Sequence, residues 1–384
     1  MNRTKAIILS TVFIDILGIG IVIPVLPFFV KSFGASDFTV TTLFAVYALC
    51  AFLSAPMLGA LSDRIGRRPV LISSILSSSI GWFIFALAPN VLFLFIGRII
   101  DGLAAGNITT AQSYLSDISK DEKDRVSNLG LIGAMFGIGL IIGPFVGGVL
   151  GAINHTIPFY IVGVLAACNT VLALFFLPET HHNRTEKSLS MNPFLPILDA
   201  FRHPIILPVM ISWLLFNISL SIQQSIFALY LQKVFGFQEL QSGLLYAFVG
   251  VVILINQVFL LKRFWLARFT KKKLLDGMLL LLGIGFLFLS VPIGIVLTIG
   301  IICTTFGQSL VRTVMTGIVS SIESHKRGEN LGTMNAFASL AMIIGPFIGG
   351  SLFVWNTHLP FFVAGLFILI ALWTVHLGKI HKNT

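Results

Sequence analysis

The chain has 384 residues, of which 56% are hydrophobic and only 10% carry a charge. A soluble domain has about 45–50% apolar and about 25% charged residues, so this composition excludes an ordinary soluble protein. The net charge of +10 does not indicate nucleic-acid binding, because the basic residues lie in short segments between apolar runs. Cys50, Cys168 and Cys303 all lie within such runs and give neither a disulfide framework nor a metal-binding spacing.

Twelve apolar runs are long enough to cross a membrane as helices, since a spanning helix needs about 20 mainly apolar residues. The first run resembles a signal peptide, but it contains Asp15 and lacks a small-residue cleavage site, so we expect a retained span. The predicted spans are, in chain order, 6–30, 39–61, 70–88, 91–115, 127–151, 157–177, 205–231, 241–261, 273–291, 293–318, 331–353 and 359–377. We therefore predict an all-α polytopic membrane protein with twelve transmembrane helices.

The longest polar segment divides the spans into two groups of six. We predict an N-terminal six-helix bundle over 1–180, a cytoplasmic linker over 181–204 and a C-terminal six-helix bundle over 205–384. Residues near Phe194–Phe201 within the linker are a candidate surface helix.

The placement of Lys and Arg predicts the orientation of the chain. If the N-terminus is cytoplasmic, 21 basic residues fall on the cytoplasmic side and two, Lys31 and Lys233, on the other. Because basic residues concentrate in cytoplasmic loops, both termini are predicted to be cytoplasmic, in the inner membrane of a bacterium.

An internal repeat relates the two halves. The sequence SNLGLIGAMFGIGLIIGPFVGGVL at 127–150 matches ENLGTMNAFASLAMIIGPFIGGSL at 329–352 without a gap. The offset is 202 residues, since Gly130 matches Gly332. Six spans is an even number, so both copies cross the membrane in the same direction. This pattern is typical of transporters built from two parallel six-helix repeats.

Asp15 lies about nine residues into the first span, which is about 14 Å at 1.5 Å per residue. Carboxylates at such depth are costly and usually face a cavity or a partner. We interpret Asp15 as a proton-coupling carboxylate, and the alternative is a structural hydrogen-bonding acid. Arg98 and Asp101 share one face of the fourth span, so they pair with each other, or Arg98 approaches Asp15 or a substrate. Arg312 in the tenth span either binds an anionic substrate group or reaches the interface.

The segment between the second and third spans, GALSDRIGRRP, holds one acid and three arginines within six residues. We expect Gly59 to allow close helix approach, Gly66 to allow a tight turn and Asp63 to bind free amides at a helix N-terminus. The alternative is that these charges only set topology. The candidate gating residues here are Gly59, Asp63, Arg64, Gly66, Arg67 and Arg68.

Further polar residues within spans are candidates to line a substrate cavity. Each alone is more often a satisfied interior group, but the set indicates a moderately polar cavity suited to an amphipathic organic compound. They are Tyr47, Gln112, Asn217, Gln223, Gln224, Tyr246, Asn256, Gln257, Gln308 and Arg312. The small residues of the fifth span predict close helix packing rather than a phosphate loop, and its Gly-Pro step predicts a bend. They are Gly139, Gly143, Pro144, Gly147 and Gly148.

These motifs together resemble the major facilitator superfamily, and within it the drug–proton antiporters and tetracycline exporters. The resemblance rests on DILGIGIVIPVLP in the first span, GALSDRIGRRP, the fourth-span Arg98, the fifth-span glycines and Pro178–Thr180. It implies that Asp63 contacts the eleventh helix across the halves, and that Arg67 pairs with Asp117 to gate the cytoplasmic end.

The sequence departs from this group in three places. The counterpart of the loop motif after the eighth span, LKRFWLARFTKKK, has lost the acid and the glycines. Asp101 stands where the group more often has a neutral polar residue. The acids that the resemblance places in the third and ninth helices are Gly81 and Leu281 here, which argues against tetracycline itself as the substrate.

We predict a non-enzymatic secondary transporter that exports a small amphipathic organic compound in exchange for protons by alternating access. The alternative is proton-coupled or facilitated uptake of a nutrient or siderophore-like solute. An intramembrane enzyme or a sensor is disfavoured, because the sequence contains no HExxH, GxSxG or Walker motif. We expect a monomer in the lipid bilayer, no cofactor and no metal, with the proton gradient as the energy source.

Overall fold

A computed structural model describes residues 3–180, 192–201, 203, 206–320 and 327–377. The secondary structure of these residues is helical, which confirms the predicted all-α class. The helices before the linker are α1 (Arg3–Ser32), α2 (Asp37–Ile65), α3 (Arg67–Ala86), α4 (Val91–Ala104), α5 (Asn107–Asp117), α6 (Glu122–Gly151) and α7 (Ile157–Phe176). Together α4 and α5 make the fourth span, with a break at residues 105–106.

The predicted surface helix is present as α8 (Leu195–Ala200). The later spans are α9 (Leu207–Phe235), α10 (Glu239–Ile255) continued by a π-helical stretch Asn256–Trp265 and α11 (Leu266–Arg268), α12 (Lys271–Leu289), α13 (Gly294–Val319), α14 (Arg327–Trp355) and α15 (Leu359–Leu377). Eleven spans of the described chain are long and apolar enough to cross a membrane. The predicted span that is not among these eleven is the ninth, which corresponds to α12. The first turns of α12 carry three lysines and an acid.

The helices extend a few residues beyond several predicted spans, because polar capping groups continue the helices past the apolar runs. α6 starts five residues before its predicted span, where the Asp121 carboxylate accepts a hydrogen bond of 2.7 Å from the Asp124 amide. α9 carries Pro208 in its first turn, a position that needs no amide donor. Residues 181–191 of the predicted linker lie outside the described residues.

The chain forms two compact units. Unit 1 contains residues 1–36, 46–193 and 238–247, and unit 2 contains residues 37–45, 194–237 and 248–384. The first nine residues of α2 therefore group with unit 2, and the start of α10 groups with unit 1. Each unit thus includes a short helical segment from the other half of the sequence.

Close packing of α1 on α6 forms the centre of unit 1. A Cβ atom added to Gly143 would lie 2.8 Å from the Cα atom of Gly20, and one added to Gly147 would lie 3.0 Å from the Cα atom of Ile21. Gly139 faces Ile16 in the same way. The predicted packing role of these glycines is confirmed, since a side chain at any of them would separate the two helices.

The same packing recurs in unit 2 between α9 and α14. A Cβ atom added to Gly345 would lie 2.6 Å from the Cβ atom of Ser221. The repeat offset of 202 takes Gly143 to Gly345, so the two repeats build one helix pair twice. This confirms the architecture of two parallel six-helix repeats.

Candidate functional site

The break in the fourth span, between α4 and α5, positions the candidate site. Two glycines hold this break against α2, because a Cβ atom on Gly102 would lie 2.7 Å from that of Cys50 and one on Gly106 would lie 2.6 Å from Leu58. Irregular backbone at membrane depth is tolerated only where it is buried in protein or lines a cavity. Transporters place substrate and ion sites at such interrupted helices.

A small cavity lies at this break inside unit 1. Its volume for the centre of a water molecule is about 10 Å³, which is about the room that one water requires. It is lined by Asp15, Tyr47, Ser78, Asp101, Ala105, Asn107 and Ile108. The cavity therefore brings two predicted carboxylates, Asp15 from α1 and Asp101 from α4, to one polar space together with Tyr47.

Asp15 has one carboxylate oxygen, Oδ2, that is buried and has no hydrogen-bond partner among the described residues. The Oδ1 atom of Asn107, which lines the same cavity, is likewise buried and has no hydrogen-bond partner among the described residues. Buried polar atoms are nearly always hydrogen-bonded. Two unsatisfied oxygens beside an open space are therefore suited to receive a proton, a water or a ligand donor.

Arg98 pairs with Asp101 across one turn of α4, with 3.6 Å between a guanidinium nitrogen and Oδ2. Asp101 also accepts a hydrogen bond of 2.7 Å from the Ser78 hydroxyl. Both charged side chains are buried. Of the two predicted alternatives the helix pair is present, and within residues 3–180 no ion pair joins Arg98 to Asp15.

Aromatic rings enclose the rest of the Arg98 side chain. Its guanidinium carbon lies 4.7 Å from the ring centre of Phe85, 5.1 Å from that of Trp82 and 5.6 Å from that of Tyr47. Aromatic faces attract a desolvated cation, so these rings and Asp101 fix Arg98 behind the cavity. Among the described residues no cation forms an ion pair with Asp15.

Gly81 explains one departure from the antiporter group. A Cβ atom on Gly81 would lie 3.0 Å from the Asp101 amide nitrogen and 3.2 Å from the Asp101 Cβ atom. An acid at position 81 would therefore compete with Asp101 for the same space. The carboxylate of this region comes from α4 instead of α3.

The loop within the motif GALSDRIGRRP is a single residue, Gly66, since α2 ends at Ile65 and α3 begins at Arg67. Gly66 has φ of 113°, a region that glycine adopts without strain, and the predicted tight turn is confirmed. The amides of Arg67 and Arg68 donate to the Glu179 carboxylate at 2.9 and 3.2 Å. Glu179 thus binds the free amides at the start of α3.

The predictions for Asp63 and Gly59 need correction. Asp63 does not bind the α3 amides, because it forms an ion pair with Arg67 instead. A Cβ atom on Gly59 would meet no atom of the described residues within 4 Å, so the expected close helix approach at Gly59 is not present in this part of the chain. The contact of Asp63 with the eleventh helix stays a prediction.

Arg67 is the centre of a buried polar network. Its Nε atom lies 3.4 Å from Asp117 Oδ2, so the expected pair is present, and it donates to the Ser62 hydroxyl at 2.6 Å. Arg68 donates to the Leu174 carbonyl at 2.7 Å, while Arg64 is exposed. The charges of the motif thus do more than mark topology, because they join the ends of α2, α3, α5 and α7.

Sequence reasoning missed the part that Glu179 plays. The resemblance noted Pro178–Thr180 only as the end of the sixth helix. In the structure the Tyr114 hydroxyl donates to the Pro178 carbonyl and so fixes the segment that carries Glu179. A proline that stops a helix directly before an acid was the available signal, but the partner of that acid lies 111 residues earlier.

Two candidate cavity residues of unit 2, Asn256 and Gln257, belong to a neutral hydrogen-bond network. The Asn256 amide donates to the Ser309 hydroxyl at 2.5 Å, and its oxygen accepts from Trp265 Nε1 at 2.8 Å. Gln257 donates to the Ser309 carbonyl at 3.2 Å. Asn256 has no exposed surface, so it is a satisfied interior group in this conformation.

The remaining candidates differ in exposure. Asn217 is buried and donates to the Trp213 carbonyl of its own helix at 2.7 Å. Gln112 and Arg312 are exposed. The partly buried members are Gln223, Gln224, Tyr246 and Gln308. A role of these residues in substrate binding stays a prediction.

A polytopic helical protein with two parallel repeats and a charged cavity beside an interrupted span belongs to the class of membrane transporters. The profile described as "Major Facilitator Superfamily" matches residues 8–264 and 259–382. The chain belongs to the Major Facilitator Superfamily. It is therefore a multi-pass membrane transporter that acts on small molecules, and not an enzyme.

Relatives in sequence are resistance proteins of bacteria. The chain is 30% identical to the tetracycline resistance protein, class C, of Escherichia coli, over 100% of this chain and 99% of that protein. It is 29% identical to multidrug resistance protein 2 of Bacillus subtilis (strain 168), over 100% of this chain and 98% of that protein. The fold also matches the crystal structure of the nucleoside transporter NupG, with a TM-score of 0.79 at 13% identity over the full length of both chains.

Proposed function

We propose that the protein exports a small amphipathic organic compound across the bacterial inner membrane in exchange for protons, with both termini cytoplasmic. The observation that carries this proposal is Asp15, a carboxylate in the first span with an unsatisfied oxygen beside a cavity of about 10 Å³. The names of the resistance proteins that share 29–30% of its sequence support export of drug-like compounds.

The arrangement of charges assigns different tasks to the two carboxylates. Asp101 has Arg98 as its counter-charge and Ser78 as a hydrogen-bond donor, and both contacts favour its anion relative to that of Asp15. Among the described residues Asp15 has no such cation, and a carboxyl group without a counter-charge gains most from binding a proton when water is excluded. In this proposal Asp15 carries the proton, while Arg98 and Asp101 remain paired and keep their charges during transport.

The network around Arg67 supports the gating part of the proposal. Asp63, Arg67 and Asp117 connect helices that meet at the cytoplasmic end of the predicted topology. Alternating access requires such an end to close and to open. We infer that these pairs stabilise one state of the cytoplasmic end, and that the monomer carries the complete transport path.

Transport into inverted membrane vesicles tests the proposal. A pH gradient should drive accumulation of a fluorescent lipophilic dye into vesicles that contain the protein. The Asp15→Asn variant should reduce this accumulation to the level of vesicles without the protein. Asp276→Asn is the matched control, because Asp276 is a carboxylate in α12 that pairs with His376 at 3.5 Å and does not line the cavity. Full gradient-driven accumulation by Asp15→Asn would contradict the proposal.

A further inference from the structure

One helix contact is built twice in the protein, once in each unit. In unit 1 the start of α10 packs on α6, and a Cβ atom added to Gly148 would lie 2.8 Å from the Cα atom of Gly243. In unit 2 the start of α2 packs on α14, where Gly350 meets the side chain of Thr41. The repeat offset of 202 takes Gly148 to Gly350 and Thr41 to Gly243, so the two contacts are equivalent.

An acid accompanies each contact at the equivalent position, since the offset takes Asp37 to Glu239. The cations that bind these acids differ. Asp37 Oδ2 lies 3.4 Å from the Lys233 ammonium in unit 2. Glu239 Oε1 lies 2.9 Å from His155 Nδ1 in unit 1. The offset also takes Lys31 to Lys233 and His155 to Thr357, so the repeat has kept the acid and the lysine, and the histidine is present in the first copy alone.

The two cations respond differently to pH. Histidine changes its charge between about pH 5 and 8, whereas lysine stays charged throughout this range. The Glu239 side chain is 11% exposed and that of His155 is 38% exposed. Among the described residues His155 is the titratable group that faces Glu239. Lys31, the equivalent of Lys233, lies in the last turn of the neighbouring α1.

We propose that His155 and Glu239 form a proton-sensing site, separate from Asp15, that controls the contact of α10 with α6. At low pH the charged His155 binds the Glu239 carboxylate and holds the start of α10 on α6. As the pH rises and His155 loses its proton, the ion pair is lost and the contact loosens. The equivalent contact of α2 with α14 stays closed, because Lys233 keeps its charge. This inference needs no substrate and does not depend on proton-coupled export.

Distance measurements between spin labels test this site in the full-length protein. One label pair replaces Ile153 and Leu240, which are exposed residues of unit 1, after the three cysteines have been changed to alanine. The protein is reconstituted in lipid nanodiscs and measured by pulsed electron paramagnetic resonance at pH 5.5 and 8. The ratio of the short to the long distance should fall about two- to fivefold on going to pH 8, in keeping with the strength of a partly exposed ion pair.

The repeat supplies a matched control pair. Adding 202 to Ile153 and subtracting it from Leu240 gives Trp355 and Phe38, which are exposed residues of unit 2. Labels at these two positions should report the same distance distribution at both pH values. An equal pH response of both label pairs would show a general effect of pH and would overturn the proposal.

Two variants keep the test decisive. His155→Gln retains a hydrogen-bond donor but cannot become charged, so the distances from the unit 1 labels should no longer depend on pH. Glu239→Gln should remove the pH response as well, because it removes the anion. The proposal is overturned if the unmodified site shows no pH response, or if the response persists in His155→Gln.

Discussion

The interiors of the two repeats differ in charge although their helices pack in the same way. The first repeat encloses Asp15, Arg98 and Asp101 around a cavity. The repeat offset takes Asp15 to Asn217 and Arg98 to Gly300, so these equivalent positions of the second repeat carry no charge. Asn217 donates to a carbonyl of its own helix at 2.7 Å. The comparison teaches that polarity has been kept for structure, while at these positions the charges belong to the first repeat.

The loops after the second and eighth spans show the same division. Adding the offset to Asp63 gives Trp265, and adding it to Gly66 gives Arg268. Asp63 takes part in an ionic network, whereas Trp265 donates a neutral hydrogen bond to Asn256. The first loop therefore uses an ion pair and one glycine conformation, whereas at the equivalent positions the second has a neutral hydrogen bond and an arginine whose guanidinium carbon lies 4.6 Å from the ring centre of Phe264.

Among the substitutions that test this difference between the repeats, Arg98→Met is expected to cause the largest loss of stability. The substitution leaves Asp101 buried without its counter-charge, which typically costs about 3–5 kcal/mol. Thermal unfolding of the detergent-solubilised protein should show a strong loss of stability. The double variant Arg98→Met with Asp101→Asn should recover much of it, because the unpaired charge is removed. If the losses of the two single variants simply add in the double variant, the two residues are not coupled.

A smaller effect is expected at the loop of the first repeat from Gly66→Ala. The residue would have to keep φ of 113°, and its Cβ atom would collide with the Glu179 carboxylate. A cost of about 1–3 kcal/mol is expected for such a backbone conformation. Gly59→Ala is the control, since it lies within α2 with open space around it and alanine favours helix. Equal destabilisation by both substitutions in thermal unfolding would refute the role of the Gly66 turn.

The smallest effect is expected in the neutral network of the second repeat, from Ser309→Ala. The substitution removes the acceptor of the Asn256 amide at 2.5 Å but leaves no charge unpaired. The expected loss of stability is about 1 kcal/mol, well below that of Arg98→Met. Thermal unfolding of both variants in the same detergent makes the comparison directly. A loss as large as that of Arg98→Met would show that charge does not distinguish the two interiors.

The spans and the repeat were predictable because both depend on local sequence. An apolar run of about 20 residues has few options in lipid other than a helix, and the glycines of the fifth span repeat without a gap. The pair of Arg98 with Asp101 was likewise within reach, since residues three apart share a helix face. The resemblance supplied the pair of Arg67 with Asp117.

The cavity and the α3 cap were not predictable from spacing, since their residues are distant in sequence. Asp15 and Asn107 meet only because α1 lies against the break between α4 and α5. Glu179 reaches Arg67 only because α7 returns to the start of α3. The prediction for Gly59 failed for a different reason. A glycine in a motif indicates a requirement on the backbone, but the sequence does not show which neighbour imposes it.

The segment of α2 that joins unit 2 has a consequence for how the protein is made. Thr41 leaves the ribosome early, but its partner Gly350 is synthesised more than 300 residues later. At about 5–20 residues per second, the start of α2 waits for roughly 15 to 60 seconds in the membrane before its final neighbour exists. Unit 2 is therefore completed only at the end of translation, and a chain cut before α14 leaves an early helix without the surface that it is built to meet.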